Sequence, residues 1–416
     1  MVDDLHRDAM ACSHVATPHA PDATGARQIG TFGRGKTLIF VTQEDWPFFT
    51  HRLPLALAAR DAGFRVMLAT RFTRARDIIE TTGIETIPLP ISRAGMNPYV
   101  EWQTYRTLVA LYRAQKPDLV HHVTQKPVVY GTLAARTAGV PAVVNALGGL
   151  GYLFNSQTMR ARALRTALTP LMRLALCDPR GVVVLQNTHN RDQLDAEGMI
   201  ATARVHMVRG AGVDPSAYPA TSQASERPLV VLPARLLRDK GVLEFVEAAR
   251  ILRDRGVAIR MALVGTPDPA NPTSVSPDDV QGWVDAGLIE DFGWRDAMAD
   301  VYGDAQIVCL PSYHEGLPRA LLEGGASGCA LVTTDIPGCR AVVEHNVTGL
   351  LVPPRDATAL ADTLATLAGS QALRERLGSA AKERVRETFS LDRVTAQMFE
   401  IYRERLGIAA PVDVTG

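Results

Sequence analysis

The sequence has no apolar run approaching the roughly 20 residues that a membrane-spanning helix needs, so helical spans are not expected. Residues 1–35 also lack the apolar stretch of a secretory signal, and a cytoplasmic protein is the expectation. Cysteine is scarce: Cys12, Cys177, Cys309, Cys329 and Cys339 are odd in number and without CxxC spacing. That pattern excludes a disulfide framework and a zinc site, leaving reduced thiols that pack. No cluster of metal-ligand residues is visible, so neither a metal nor another cofactor is expected. Aromatic residues make up only 6% of the chain and do not interleave with its arginines, which removes the stacking platform of a nucleic-acid binder.

Net charge is absent too, but only by cancellation. Residues 36–212 carry 21 Lys and Arg against 12 Asp and Glu, a net of +9; residues 213–416 carry 20 against 28, a net of −8. The halves therefore suggest separate domains facing different partners, the basic one suited to phosphate or an anionic membrane. A length of 416 residues agrees, since about 150 residues per domain predicts two or three.

What is present is a repeated alternation. Residues 1–35, rich in small and polar residues without periodicity, are expected to be a disordered tail. From Lys36, short apolar runs at 37–42, 65–70, 118–122, 141–145, 181–186 and 204–208 alternate with helical patterns such as 51–62 and 99–115. A polar stretch at 214–228 has the texture of a linker, after which the pattern restarts. Apolar runs at 229–232, 260–264, 306–310 and 330–333 then alternate with helices near 242–255, 318–327 and 357–368. The expectation is an α/β protein of two doubly wound domains, 36–213 and 214–390, with ligands in a cleft between them. A last amphipathic helix, 391–406, has no strand after it and is expected to pack back on the first domain.

Gly30, Gly35, Lys36 and Thr37 satisfy the P-loop pattern GxxxxGKS/T, but that loop follows a strand and opens a helix. Here it follows a tail and precedes a strand, so a flexible approach to the first strand is the better reading. The informative segment is 310–323, LPSYHEGLPRALLE, in which seven residues separate Glu315 from Glu323, with a Gly316-Leu317-Pro318 turn after the first. Pro318 suits a helix start, which places Glu315 in a strand–helix loop and Glu323 about a turn and a half into the helix. Carboxylates there can accept hydrogen bonds from the hydroxyls of a polyol. By spacing alone they could equally be two solvated glutamates. Arg235 follows an apolar strand and Lys240-Gly241 opens the next helix; two cations beside a helix N-terminus suit a diphosphate.

The glutamate pair is followed by GGASG, a strand, TDIPG at 334–338 and Asn346-x-x-Gly349 before LLVPP. Together with PARLLRDKG at 233–241, this resembles the retaining glycosyltransferases called group 1 or family 4, which have two Rossmann-like domains in the GT-B arrangement. The resemblance spans roughly residues 37–405. It implies that Arg235 and Lys240 grip a donor diphosphate, that Glu315 lies by the donor sugar and that Glu323 binds the ribose. Gly265, Gly316, Leu317 and Pro318 would complete the donor site. In the first half, HRLPLA at 51–56, DLVHHVTQKPVVYG at 118–131 and GGLGY at 148–152 are similar to a branch that extends glycans on a polyprenyl diphosphate in bacterial surface polysaccharide or glycoprotein assembly. That branch implies a UDP-sugar donor and a lipid-linked acceptor, with His51, Arg52, Thr124, Lys126, Gly149, Gly151 and Tyr152 near the acceptor. Many family members have His-x-His after the equivalent strand, with the second His approaching the donor sugar. Here that position is Val123, so the role does not carry over; His121, Thr124 or Lys126 is left for related work, His121 being the catalytic candidate, with a core role for His121 and His122 equally open.

Residues 157–177 hold Arg160, Arg162, Arg165 and Arg173, no acidic residue, and leucines at mostly helical spacing. A basic amphipathic helix suits the surface of an anionic membrane, here the cytoplasmic face of the inner membrane, or a helix buried on its leucine side. The reading is a metal-independent retaining glycosyltransferase. Its rivals are a sugar-nucleotide epimerase of the same architecture, a P-loop nucleotidase and a nonenzymatic anionic-lipid-binding protein.

Overall fold

The computed structural model describes residues 31–92, 97–149, 159–201, 204–269 and 271–409, without the side chains of 160–164 and 167. It separates into two compact units. One contains the described residues up to Gly212 together with those from Thr388 onward; the other is Val213–Glu387.

The first unit is built on seven parallel strands: β1 (Thr37–Glu44), β2 (Arg65–Arg71), β3 (Glu85–Pro88), β4 (Leu119–Val123), β5 (Ala142–Leu147), β6 (Gly181–Leu185) and β7 (Val205–Met207). Their order is β3-β2-β1-β4-β5-β6-β7. Every residue of β5 and β6 is buried, which is why these segments are continuous apolar runs and do not alternate. Helices Pro98–Gln115, Gln125–Ala138 and Met159–Leu176 pack side by side, and Leu108, Leu111 and Tyr112 close over Ile39, Val120 and Val143. Leu53–Asp61 and Leu391–Leu406 pack against each other, the latter also touching β4 and β5.

Two local expectations change in this unit. The helix expected over 51–62 is two helices, Asp45–His51 and Leu53–Asp61, broken at Arg52 (φ −123°, ψ −17°) just before Pro54, whose missing N–H suits the first turn of the second. Residues 31–35, expected to belong to the tail, form a turn: Gly33 N–H donates to Ala62 O at 2.9 Å, and Phe32 packs edge-on against Phe64 and Phe399. Two aromatic contacts hold what composition alone marks as loose. Lys36, in place of cradling a phosphate, pairs with Asp118 at 3.8 Å at the foot of β1.

The second unit has six parallel strands, β8 (Leu229–Pro233), β9 (Arg260–Val264), β10 (Glu290–Asp291), β11 (Ile307–Leu310), β12 (Ala330–Thr334) and β13 (Leu350–Val352), in the order β10-β9-β8-β11-β12-β13. The stretch 214–228 is not a free linker. Buried Gln223 donates to the carbonyls of Gln306 and Gly328, and the fully buried Arg374 guanidinium donates to Gln223 O at 2.7 Å. Both sheets are the doubly wound α/β domains expected, and each reverses its strand order once, between β1 and β4 and between β8 and β11. The crevice outside the carboxyl ends of such a strand pair is where this architecture binds ligands.

Candidate active site

In the second unit the loops after β8 and β11 meet at the reversal point, and glycines let them meet. Gly241 (φ +74°) caps the helix Val242–Asp254, and a Cβ on it would lie 2.1 Å from Pro311 O. Gly265, after β9, has φ +145°, and its Cβ would lie 2.0 Å from Ala234 O. Tyr313 N–H donates to Asp239 O at 2.9 Å, joining the two loops directly. Side chains other than glycine would push these backbones apart.

This closeness brings Lys240 Nζ to 2.6 Å from Glu315 Oε1, with both side chains largely buried. Ser312 Oγ donates to the same Oε1 at 2.8 Å. Behind them Thr334 Oγ1 donates to Ser312 O, Thr333 Oγ1 donates to Leu310 O at 2.7 Å, and Gly338 abuts Glu315 O, where a Cβ would come within 2.1 Å. Gly316 and Leu317 continue this loop, and Pro318 is the N-cap of the helix Arg319–Ser327, one position earlier than expected.

The remaining donor candidates are already engaged. Arg235 Nη1 lies 2.7 Å from Asp268 Oδ2. Glu323, the residue expected at the ribose, is held at both oxygens: Arg319 Nε donates to Oε1 at 2.6 Å and the Tyr302 hydroxyl to Oε2 at 3.0 Å. Burial pushes the Tyr302 and Tyr218 hydroxyls up from their ordinary values, and the Glu323 charge adds to that. Both phenols therefore remain donors.

In the first unit, neighbouring histidines of β4 point to opposite faces. His122 is fully buried; neutral, it donates from Nδ1 to Asn145 Oδ1 at 2.9 Å and accepts the Tyr112 hydroxyl at Nε2, also at 2.9 Å. Burial pushes its pKa down to about 4, against a smaller upward pull from Asn145. Gly131 leaves room for the ring, since a Cβ there would sit 2.4 Å from Nε2. His122 is thus a core residue. His121, equally buried, shares Nδ1 with the Tyr402 hydroxyl at 2.6 Å, while its Nε2 has no partner among the described residues. Burial holds it well below its ordinary value, and Arg52 adds to the shift. Arg52 is itself buried beside His121 and Tyr402, and no carboxylate pairs with it among the described residues.

Other acceptor candidates scatter. His51 is exposed, with Nδ1 2.5 Å from Thr50 Oγ1. Thr124 has φ +75° and ψ 168° at the start of the helix Gln125–Ala138, a backbone strained by about 1–3 kcal/mol for a β-branched residue. Lys126 is spent on an ion pair with Glu101 and a 3.0 Å bond to Ser92 Oγ. Gly149 follows β5; Gly151 and Tyr152 lie outside the described residues.

Comparison with known families decides what this frame belongs to. Residues 37–176 match the family described as "Glycosyl transferase 4-like", and residues 227–370 match "Glycosyl transferases group 1"; together these cover about two thirds of the chain. The chain belongs to the group 1 glycosyltransferases. This glycosyltransferase is 24% identical over 357 residues to the N,N'-diacetylbacillosaminyl-diphospho-undecaprenol alpha-1,3-N-acetylgalactosaminyltransferase of Campylobacter jejuni, covering 83% of this chain and 92% of the relative. It is 23% identical over 286 residues to the UDP-Gal:alpha-D-GlcNAc-diphosphoundecaprenol alpha-1,3-galactosyltransferase of Escherichia coli, covering 64% of this chain and 71% of the relative. Among solved structures, Anabaena HepE in complex with UDP and glucose aligns with a TM-score of 0.70 at 18% identity, over 88% of this chain and 99% of that one. Sucrose-phosphate synthase from Thermosynechococcus elongatus aligns with a TM-score of 0.73 at 19% identity, over 89% and 99%. The fold is therefore GT-B.

Within this glycosyltransferase, sequence reasoning missed Ser312, Asp268, Tyr302 and Tyr402 as partners of the candidate residues. Only Arg319 carried a local signal, its i,i+4 spacing to Glu323.

Proposed function

We propose that this glycosyltransferase moves a sugar from a UDP-sugar to a polyprenyl-diphosphate-linked glycan, retaining anomeric configuration, in bacterial surface polysaccharide or glycoconjugate assembly. The observation that carries the reading is the Lys240–Glu315 pair at the strand reversal of the group 1 domain. The named activities of the Campylobacter and Escherichia relatives support the acceptor class, and the UDP complex of the Anabaena neighbour supports the donor.

As the sugar–diphosphate bond breaks, positive charge grows on the sugar ring and negative charge on the departing diphosphate. Lys240 and Arg235 stabilise the leaving charge; removing one such donor typically raises a barrier by about 2.7–4 kcal/mol. Glu315 orients the donor sugar. Glu323, held by Arg319 and Tyr302, presents its carboxylate edge to the ribose. With two cations on the diphosphate, the chemistry needs no metal. In the first unit, His121, whose Nε2 has no partner among the described residues, buried Arg52 and strained Thr124 are the candidates for the acceptor side, as are the more dispersed His51, Lys126 and Gly149.

Among the described residues no helix is long and apolar enough to cross a membrane. The helix Met159–Leu176 buries Met172 and Leu176 while Leu171, Arg173 and Leu174 are exposed, so apolar and cationic side chains share its outer face. That face, on the basic half of the chain, fits peripheral docking to the anionic cytoplasmic leaflet.

The test is a panel of UDP- and GDP-sugars offered with polyprenyl-diphosphate-linked acceptors, reading product linkage by NMR. Transfer from a UDP-sugar with retained configuration is expected, undiminished by EDTA. Conversion of the nucleotide sugar without any acceptor would instead favour an epimerase.

A further inference from the structure

Glu315 has two carboxylate oxygens, and among the described residues only one finds a partner. Oε1 receives both the Lys240 ammonium at 2.6 Å and the Ser312 hydroxyl at 2.8 Å; Oε2 has no partner among the described residues. The two contacts on Oε1 differ in what they fix. An ammonium on a four-carbon stem attracts the carboxylate as a point charge and leaves its plane free to turn, because the terminal torsion of Glu is broad. A hydroxyl anchored through a short side chain adds a direction. Ser312 can supply one because it is fully buried and held through its own backbone: its carbonyl accepts from Thr334 Oγ1, and the Leu310 carbonyl two residues earlier accepts from Thr333 Oγ1.

We infer that Ser312 is the positioning residue of the donor site, fixing the Glu315 carboxylate through Oε1 so that Oε2 alone meets a hydroxyl of the donor sugar. This rests on the proposed placement of Glu315 beside that sugar. A single acceptor oxygen in a fixed place favours one hydroxyl orientation, so Ser312 sharpens discrimination between sugars that differ at one carbon. Loss of the contact would let the carboxylate turn and accept from either epimer.

Calorimetric titration separates this role from a general structural one. The probes are UDP alone and the tightest binder among UDP-glucose, UDP-galactose, UDP-N-acetylglucosamine and UDP-N-acetylgalactosamine. Ser312→Ala is expected to weaken the UDP-sugar about tenfold, or 1.4 kcal/mol, while UDP affinity stays within about twofold. Discrimination between the C4 epimers should narrow by a similar factor. In a Glu315→Ala background the same substitution should add nothing, because a positioning residue has then lost what it positions. Equal weakening of UDP and UDP-sugar, no weakening of either, or additive effects with Glu315→Ala would overturn the inference. If Glu315→Ala itself binds the UDP-sugar as wild type does, the underlying placement of Glu315 fails instead. Should Ser312→Ala melt early, Ser312→Cys, similar in shape but a weak donor, carries the same expectation.

Discussion

The imidazole Nδ1 of His121 and the hydroxyl of Tyr402 lie 2.6 Å apart, joining β4 to the last helix across 281 residues of sequence. Both groups are fully buried, and His121 Nε2 has no other partner to fall back on among the described residues. Tyr402→Phe keeps the ring and removes the hydroxyl, leaving both imidazole nitrogens dry. A stability loss of about 1–3 kcal/mol is expected, read as a lower urea midpoint with an unchanged slope.

Lys240→Ala should leave the Glu315 carboxylate without its cation and the diphosphate without one of two. Turnover should fall about 10²–10³-fold, with circular dichroism unchanged. Glu323→Gln keeps the shape of the side chain but removes the charge held by Arg319 and Tyr302, and should raise the donor KM. Near wild-type kinetics in both variants would sink the assignment of the donor site.

Acidification should destabilise the protein through its buried imidazoles. His122 has a folded pKa of about 4 against about 6.5 when unfolded, so between those values the unfolded chain binds the extra proton. Stability is therefore full above about pH 6.5 and falls as pH drops toward 4, by about 3 kcal/mol over the whole window. His121 shifts in the same direction. Urea midpoints at pH 7.5 and 5 check the sign; in His122→Gln the dependence should shrink.

Gly338→Ala changes no charge and no hydrogen-bonding group. Its Cβ would fall 2.1 Å from Glu315 O, so the Glu315 loop must move. Transfer should drop about tenfold or more while the chain stays folded, since displacing a positioned group by about an ångström is costly. Unaltered activity would show that the loop position is not critical.

Much of this organisation was legible because its signals are local. Buried parallel strands leave apolar runs, and Arg235, Lys240, Glu315 and Glu323 lie in contiguous motifs. What escaped depends on tertiary contact. β10 is two residues long and β13 three, too short for any periodicity. Nothing near Arg235 in sequence announces Asp268, 33 residues away, and Tyr218 lies in a stretch whose composition resembles a linker. His121 and His122 look alike as a pair; only their places on opposite faces separate a satisfied core imidazole from one whose Nε2 has no partner among the described residues. Phe32 shows the same limit, since a lone aromatic in a polar tail gives no hint of the two rings that receive it.

Gly241, Gly265 and Gly338 each meet a carbonyl of a neighbouring loop at a point where a side chain could not fit. The mutual placement of these loops thus depends on main chain touching main chain. Residues facing the sugar can then be exchanged without shifting the chassis that aims them. Such a division of labour makes the domain evolvable: new donors can be accommodated by changing side chains alone, while the three glycines stay intolerant of change.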